Sequence, residues 1–309
     1  MTGETLVHRA LLYGGEEEFL AAAVPFLQEG LGESDHVLAV VPPMNEIALR
    51  DVLGTDMNSV VFINSLDFYL HPVRTIAQYN DLVREVAPRR LRALAEPSWR
   101  GRSAAEMSEW GRYESIVNAA FGRSGAQVIC PYDRREISPA IREACMSTHP
   151  ELLEGGYYPA YNTDYTVPES FNANVDREPL VPAPPGTDRI LIESADLCAV
   201  RAFISERASR RRMNPADLNH LLIAANEVAT NAVTHGTPPI ELMVWTQGDS
   251  LVCEVADIGL WHPEELVGFL PPENANSIGF GLWGARMLVD LIQVRAGFHG
   301  TRVRITTRL

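Results

Sequence analysis

In the first half of the chain, short apolar runs alternate with segments of helical length. This alternation is typical of a parallel sheet flanked by helices. Buried strands are predicted at Val7–Tyr13, His36–Val41, Val60–Asn64 and Ala126–Cys130. Helices are predicted at Glu16–Gly30, Met44–Leu53, Val73–Glu96, Ala105–Phe121 and Ser138–Thr148. Ligands bind at the carboxyl ends of such strands, so a site is expected near Tyr13–Glu16, Asn64–Asp67 and Cys130–Asp133.

The second half has a different order of elements, with helices first and paired strands afterwards. This order predicts a helix layer on a mostly antiparallel sheet, a two-layer α/β domain. Helices are predicted at Ala195–Arg212, Pro215–His235 and Gly281–Leu291. Strands are predicted at Ile240–Thr246, Leu251–Asp257, Ile292–Ala296 and Thr301–Thr307.

A proline-rich segment at 167–188 separates the two patterns and favours an extended connection. The predicted organisation is a first domain at 1–178, a linker at 179–189 and a second domain at 190–309. The fold class is therefore α/β, with a parallel-sheet domain followed by a two-layer domain.

Composition and charge exclude several kinds of site. The 309 residues include 40 acidic and 26 basic ones, a net charge of −14, which argues against a nucleic-acid-binding surface. Every basic residue is arginine, so a P-loop lysine or a Schiff-base lysine is absent. The turn at Tyr13–Glu16 also lacks the glycine pattern of a phosphate loop, so no nucleotide is expected there. The four cysteines form no C-x-x-C pair, which predicts buried thiols rather than a zinc site or disulfides.

Hydropathy predicts neither a membrane segment nor a signal peptide. No apolar run reaches the length of a transmembrane helix, and the first residues lack a basic and an apolar region. A cytoplasmic protein without a membrane association is the expectation.

The predicted helix Pro215–His235 has an apolar face and a polar face. At the helical period, Glu227 and Asn231 point the same way, together with His220 and Thr234. By itself such a face is typical of a solvated helix surface. The opposite, core-facing side is predicted to carry Leu218, Leu221, Leu222, Ala225, Val228, Ala229 and Ala232.

Three short motifs downstream change this interpretation. Asp257-Ile-Gly259 ends a strand, Gly279-Phe-Gly281-Leu282 precedes a helix, and Gly300-Thr301 opens the last strand. Each motif alone is a weak signal. As an ordered set after the E-x-x-x-N helix, they indicate one functional site.

This ordered set resembles the GHKL superfamily of ATPases, which has the Bergerat fold. The resemblance covers about residues 190–309 and implies that ATP and Mg²⁺ bind there. Asn231 would hold Mg²⁺, and Asp257 would accept a hydrogen bond from the adenine amino group. Gly259 would let the backbone approach the base, and Thr301 would complete the adenine pocket.

The resemblance also assigns the loop before the third helix as a lid over the nucleotide. Gly279 and Gly281 would hinge this lid and free backbone N–H groups for phosphate. Leu282 completes the motif and belongs to the same cofactor-binding set. The lid at 260–278 is expected to be mobile without nucleotide and to couple nucleotide to partner binding. The alternative is a static loop whose Trp261 packs on the sheet.

Within this superfamily, the chain resembles the anti-sigma-factor kinases of partner-switching systems. Sensor histidine kinases carry a phosphoacceptor histidine before the ATPase helix, and the corresponding segment 196–207 has none. The segment 281–295 resembles the RsbA-family regulators. Glu227 would then orient or deprotonate the attacking hydroxyl, and Arg286 is a candidate for contact with phosphate or a partner.

The first domain resembles a MEDS domain, a RecA-like sensory module, over about residues 5–168. The features that carry this resemblance include His8 to Tyr13, Trp110 to Glu114, Cys130 to Asp133 and Thr148 to Pro150. For His8, Glu114, Asp133 and His149, one interpretation is a satisfied hydrogen-bond network. The other is a binding site for a small-molecule signal.

Together these resemblances imply an anti-sigma factor with an N-terminal sensory domain. Its partners would be a sigma factor and an anti-sigma-factor antagonist, which it would phosphorylate on serine or threonine. Related regulators often dimerise, but no motif marks a dimer face. Two alternatives are a sensor-type kinase of a two-component-like pathway and a nucleotide-dependent binding module without phosphotransfer.

Overall fold

The computed structural model describes residues 5–193, 197–261, 267–270 and 280–309. The chain divides into two compact units, Met1–Phe171 and Asn172–Leu309. The division precedes residue 178, where the domain boundary was expected. Among the described residues, no helix is both long and apolar enough to cross a membrane.

The first unit contains a seven-stranded sheet with helices. Its strands are β1 (Val7–Tyr13), β2 (His36–Val41), β3 (Val61–Asn64), β4 (Leu91–Ala95), β5 (Gln127–Asp133), β6 (Glu151–Glu154) and β7 (Ala160–Tyr161). Its helices are α1 (Glu16–Gly32), α2 (Pro43–Leu53), α3 (Ser65–Phe68), α4 (Pro72–Val86), α5 (Ala104–Ala120) and α6 (Pro139–Thr148), and α7 (Pro168–Arg177) crosses the division.

The strand order is β3-β2-β4-β5-β1-β6-β7, and only the β6–β7 pair is antiparallel. The predicted parallel-sheet fold is therefore confirmed.

Capping side chains mark where two of the helices begin. Ser103 accepts the N–H of Glu106 in a capping box, and Ser138 caps α6.

One predicted helix, Val73–Glu96, is wrong. The structure has α4 ending at Val86 and a separate buried strand, β4, between β2 and β5. Pro88 follows closely after α4 and has no N–H to continue the helix. The alanine and leucine residues of β4 favour a helix locally, but the strand gains burial on both faces of the sheet.

The second unit is a five-stranded antiparallel sheet with a layer of helices, which confirms the predicted two-layer fold. The order of the strands is β11-β12-β10-β9-β8. The elements are β8 (Asp188–Leu191), α8 (Cys198–Arg210), α9 (Pro215–His235), β9 (Glu241–Gln247), β10 (Ser250–Asp257), α10 (Phe280–Leu288), β11 (Leu291–Gly297) and β12 (Gly300–Arg308).

The helices and the sheet of the second unit enclose one apolar core. Val200 and Ile204 of α8 and Leu221 and Ala225 of α9 are buried in it, together with Leu282 of α10. Burial of this apolar surface is the main force that holds the helices on the sheet.

Part of the segment predicted as a linker at 179–189 packs on the second unit. Asp188–Leu191 forms the edge strand β8 beside β9. The backbone oxygen of Val181 accepts a hydrogen bond of 2.8 Å from Arg304, whose guanidinium also pairs with the buried Glu254. These contacts tie the segment to the sheet face opposite the helices.

Candidate functional site

Helix α9 carries the first part of the candidate site. Asn214 caps it and Pro215 occupies its first turn, as the sequence predicts. The predicted apolar face is confirmed, since Leu221, Leu222 and Val228 are buried in the core. On the polar face, Glu227 and Asn231 are half-buried, and Asn231 Nδ2 donates to Glu227 Oε1 at 3.2 Å.

The carboxylate of Glu227 packs against the start of α10. A Cβ atom placed on Gly281 would overlap the Glu227 carboxylate, so this glycine makes room for the acid. Gly281 lies inside α10, one residue after its start, rather than in the preceding loop. Gly279, predicted as the partner hinge, lies outside the described residues, as does most of the predicted lid.

Asp257 forms the second part, at the end of β10. Its Oδ1 accepts hydrogen bonds from the backbone N–H of Gly259 at 2.7 Å and of Thr237 at 3.2 Å. Oδ2 has no hydrogen-bond partner among the residues that the structure describes. The side chain is 8% exposed, so this oxygen is a fixed acceptor in a largely buried place.

Glycines surround this carboxylate on two sides. A Cβ atom at Gly236 or Gly259 would come within 2.8 Å or 2.7 Å of the Asp257 side chain. Gly300 has a φ of +93°, and its Cβ atom would overlap the backbone oxygen of Asp257. At all three positions the backbone packs directly against Asp257, so a side chain there would clash with this residue.

Strand β12 carries the third part of the candidate site. Thr301 pairs with Asp257 in the β10–β12 register, and its hydroxyl donates to the backbone oxygen of Gly259 at 3.2 Å. Asp257 and Gly259 of one predicted motif therefore lie in contact with Thr301 of another.

Two other predicted residues, Leu282 and Arg286, are buried inside the second unit. Leu282 is 8% exposed, and its side chain packs in the core beside Gly268. Arg286 is 4% exposed; it donates to the backbone oxygen of Ile292 at 3.0 Å and lies 4.3 Å from the Phe269 ring centroid. Its guanidinium thus joins α10 to β11 and is not presented on the surface.

In the first unit, a polar cluster lies between the sheet and α5. His8, Glu114, Cys130 and His149 are all buried, and one donor atom from each lies within 4.8 Å of the others. Burial lowers the pKa of His8 to about 4 and raises the pKa of Glu114 to about 8. Asp133, which the sequence analysis grouped with them, instead pairs with Arg135 near the surface.

A second polar group lies at the carboxyl ends of the parallel strands. Tyr13 donates to Glu96 Oε1 at 2.7 Å, and Asn45 donates to Glu96 Oε2 at 2.6 Å. Burial raises the pKa of Glu96 to about 7, although both hydrogen bonds oppose the shift. This edge of the sheet is where a signal-binding site was expected.

Two family models match the chain, one for each half. Residues 7–150 match MEDS, the methanogen/methylotroph DcmR sensory domain. Residues 192–307 match the histidine kinase-like ATPase domain. The chain therefore pairs a MEDS domain with a histidine-kinase-like ATPase domain.

Solved structures with some similarity include the RsbU and RsbW domains of Rv1364c from Mycobacterium tuberculosis, at 24% identity and a TM-score of 0.31. That match covers 41% of this chain and 33% of the other. A blue-light activated histidine kinase of Erythrobacter litoralis matches at 22% identity and a TM-score of 0.26, over 37% of this chain and 42% of the other. The mycobacterial sensor histidine kinase MprB matches at 18% identity and a TM-score of 0.27, over 40% of this chain and 97% of the other. No curated protein matches the chain at a significant level.

The residues of the ATPase domain fit the ligand that such a domain implies. The open Oδ2 of Asp257 is an acceptor of the kind that an adenine amino group needs as a hydrogen-bond partner. Asn231 donates a hydrogen bond from Nδ2 to Glu227. Its Oδ1 therefore points away from Glu227 and is an oxygen ligand of the kind that Mg²⁺ prefers.

In the MEDS domain, the sequence did not predict the surroundings of Cys130 and Glu96. Cys130 joins His8 because β1 and β5 are neighbours, a pairing that spacing along the chain does not show. Glu96 was assigned to the end of a helix, whereas it directly follows β4. A polar residue directly after the short apolar run Ala93–Ala95 was the available signal for Glu96.

Proposed function

We propose that this chain is a cytoplasmic regulator that binds Mg-ATP and controls a sigma factor by partner switching. The observation that supports nucleotide binding most strongly is the Asp257 carboxylate. Two backbone N–H groups fix its Oδ1, glycines surround it, and Oδ2 remains as an acceptor. A water-exposed structural aspartate needs none of these features.

Each residue of the pocket has a role in this proposal. Asp257 and Thr301 bind the adenine, and Gly259 and Gly300 allow the backbone to approach it. Asn231 holds Mg²⁺ through Oδ1. Bound Mg-ATP supplies a transferable γ-phosphoryl group. Gly281 and Leu282 lie in the first turn of α10, whose backbone N–H groups would bind the phosphates, and Gly279 is assigned to the same group by the sequence motif alone.

Glu227 is the residue proposed for the chemical step. Asn231 Nδ2 holds its Oε1 and Gly281 packs against the carboxylate, so the side chain is fixed. Its second oxygen can then accept the proton of a serine or threonine hydroxyl on an antagonist protein. The same fixed geometry would be needed if the acid only oriented the hydroxyl.

The partner class rests on the family resemblance of α8, α9 and α10. We propose a sigma factor and its antagonist as partners, with a small-molecule signal at the first domain, proposed at 1–178, and the linker 179–189 joining it to 190–309. A homodimer is compatible with this proposal. A two-component-like sensor kinase is the second candidate, but α8 contains no histidine to receive a phosphoryl group.

Phosphoryl transfer from labelled ATP tests this proposal. The full-length protein is incubated with γ-labelled ATP and a lysate of its native cells. Label in an acid-stable serine or threonine phosphate is expected. Acid-labile label would favour the two-component alternative, because phosphohistidine is hydrolysed in acid.

The variant Glu227→Gln should keep Mg-ATP affinity within about threefold and lose label transfer by a factor of about 100 or more. Glu206→Gln is the matched control, since Glu206 is exposed on α8 and should transfer at the wild-type rate. Wild-type protein that binds Mg-ATP without any transfer would leave the nucleotide-dependent binding module as the function.

A further inference from the structure

The buried cluster of the MEDS domain combines four side chains of the types that bind metal ions in proteins. His8 Nε2 lies 3.4 Å from Cys130 Sγ and 3.7 Å from Glu114 Oε2. Glu114 Oε2 is 3.9 Å from Cys130 Sγ and 3.7 Å from His149 Nε2. The exposed fraction of the four residues is 4% or less. Imidazole, thiolate and carboxylate are the ligands of zinc sites in proteins.

Hydrogen bonds around the cluster show which nitrogen of His8 faces inward. Asn118 Nδ2 donates to the backbone oxygen of Thr148 at 2.8 Å, so Asn118 Oδ1 must face His8 Nδ1, 3.0 Å away. An acceptor at that position requires the proton on Nδ1. His8 Nε2 therefore points a lone pair at the cluster.

His149 has the same arrangement. Its Nδ1 lies 2.9 Å from the backbone oxygen of Cys145, an acceptor, so Nδ1 carries the proton. Its Nε2 is fully buried and has no hydrogen-bond partner among the described residues. A buried lone pair without a donor costs free energy, and a metal ion at the cluster would remove that cost.

Four of the six donor–donor distances suit a tetrahedral ion, and the other two, from His149 to His8 and to Cys130, are within 4.8 Å, so binding also moves His149 inward. With Zn–N near 2.0–2.1 Å, Zn–O near 2.0–2.2 Å and Zn–S near 2.3 Å, a tetrahedron has edges of about 3.4 Å between N and O donors and about 3.6 Å from S to either. The four distances above differ from these edges by about 0.3 Å or less. Side-chain adjustments of that size are within ordinary rotamer freedom.

We infer that His8, Glu114, Cys130 and His149 bind one divalent transition-metal ion, with zinc as the best-fitting element. On binding, the Cys130 thiol and the Glu114 carboxyl release their protons to solvent, so two negative charges balance the dication in a buried place. Both histidines already donate Nδ1–H to protein oxygens, the outer contacts that metal-binding histidines make. One cysteine is enough here, so the absence of a C-x-x-C pair does not exclude this site.

The site borders a pocket but has no open coordination position. His8, Glu114 and Cys130 line a mostly apolar pocket that also touches Tyr79 and Val117. Four protein donors complete a tetrahedron, and such closed sites have a structural role rather than a hydrolytic one. The inference is independent of nucleotide binding in the other unit.

Metal binding to the full-length protein tests the inference. The protein is stripped with a chelator, kept free of nucleotide, and titrated with Co²⁺ and then Zn²⁺. One Co²⁺ per chain is expected, with the intense visible bands of a tetrahedral site and a thiolate charge-transfer band. Zn²⁺ should displace it and raise the thermal midpoint of the chain.

Variants locate the ion. Cys130→Ser should remove the charge-transfer band and weaken Zn²⁺ binding by more than about 100-fold, and Asn118→Ala should weaken it by about 10–100-fold through His8. Cys145→Ala is the matched control, because Cys145 is a buried thiol outside the cluster of donors, and it should bind as the wild type does. Wild-type protein without stoichiometric binding, or binding that Cys130→Ser leaves unchanged, would overturn the inference. The wild-type spectrum decides the question even if a variant does not fold.

Discussion

Replacing Asp257 by asparagine changes a single atom in the proposed adenine pocket. The asparagine oxygen can stay where Oδ1 is and continue to accept from Gly259 N–H and Thr237 N–H. The amide nitrogen then takes the place of Oδ2. A donor therefore stands where the adenine amino group needs an acceptor.

Two losses determine the expected magnitude. A hydrogen bond to a charged acceptor contributes about 1.5–3 kcal/mol, and a buried donor left without a partner costs about 1–3 kcal/mol. Their sum corresponds to a loss of ATP affinity of about 100-fold or more. Without nucleotide, the free energy of unfolding of the variant should lie within about 1–2 kcal/mol of the wild-type value, because both backbone donors keep an acceptor.

Isothermal titration calorimetry of the full-length protein with Mg-ATP measures this effect. GTP supplies an internal control, because the guanine O6 accepts where adenine donates, so the variant should bind GTP better relative to ATP than the wild type does. An Asp257→Asn protein that binds ATP within twofold of the wild type would refute the assignment of Asp257 as the adenine acceptor.

Two further predictions concern other parts of the chain. Because burial raises the pKa of Glu96 to about 7 from 4.5, the folded state holds a proton that the unfolded chain has released between these values, and stability falls as pH rises through that interval. Glu96→Gln should therefore be more stable than the wild type by roughly 3 kcal/mol near pH 8 and similar near pH 4 in denaturant unfolding, whereas parallel pH profiles would contradict the shift. Gly281→Ala should lower stability by about 1–3 kcal/mol by crowding Glu227, although alanine is the better helix former. Gly284→Ala, whose Cβ would meet nothing within 4 Å, should gain up to about 1 kcal/mol of stability. Equal thermal midpoints for the two variants would contradict the close packing of Gly281 against Glu227.

Elements with a strong local signal were predictable from the sequence. The bounds of β1, β2 and α9 agree with the expectation to the residue. In α9, a capping asparagine, a proline in the first turn and a periodic apolar face all act within one segment. Strand β4 was missed because its helix-forming residues take strand geometry only through burial between β2 and β5.

The two polar sites differ in the same way. Asp257, Gly259 and Thr301 were predictable because each belongs to a short motif with a fixed order. The cluster of His8, Cys130 and its neighbours depends on which strands pair and on where α5 packs, and neither is a local property. The ordered motifs therefore predict that Asp257, Gly259 and Thr301 lie together. In the buried cluster, His8, Glu114 and His149 were named from the resemblance, whereas the presence of Cys130 depends on strand pairing.

Hydrogen exchange of the full-length protein with and without Mg-ATP tests the central claim most directly, because it locates the bound nucleotide. Bound Mg-ATP should slow backbone exchange at 231–237, 257–260 and 300–302, with little change within 7–150. The Asp257→Asn protein at the same nucleotide concentration should show no such protection. Unchanged exchange in these three segments, or protection confined to the MEDS domain, would contradict a nucleotide site between α9, β10 and β12.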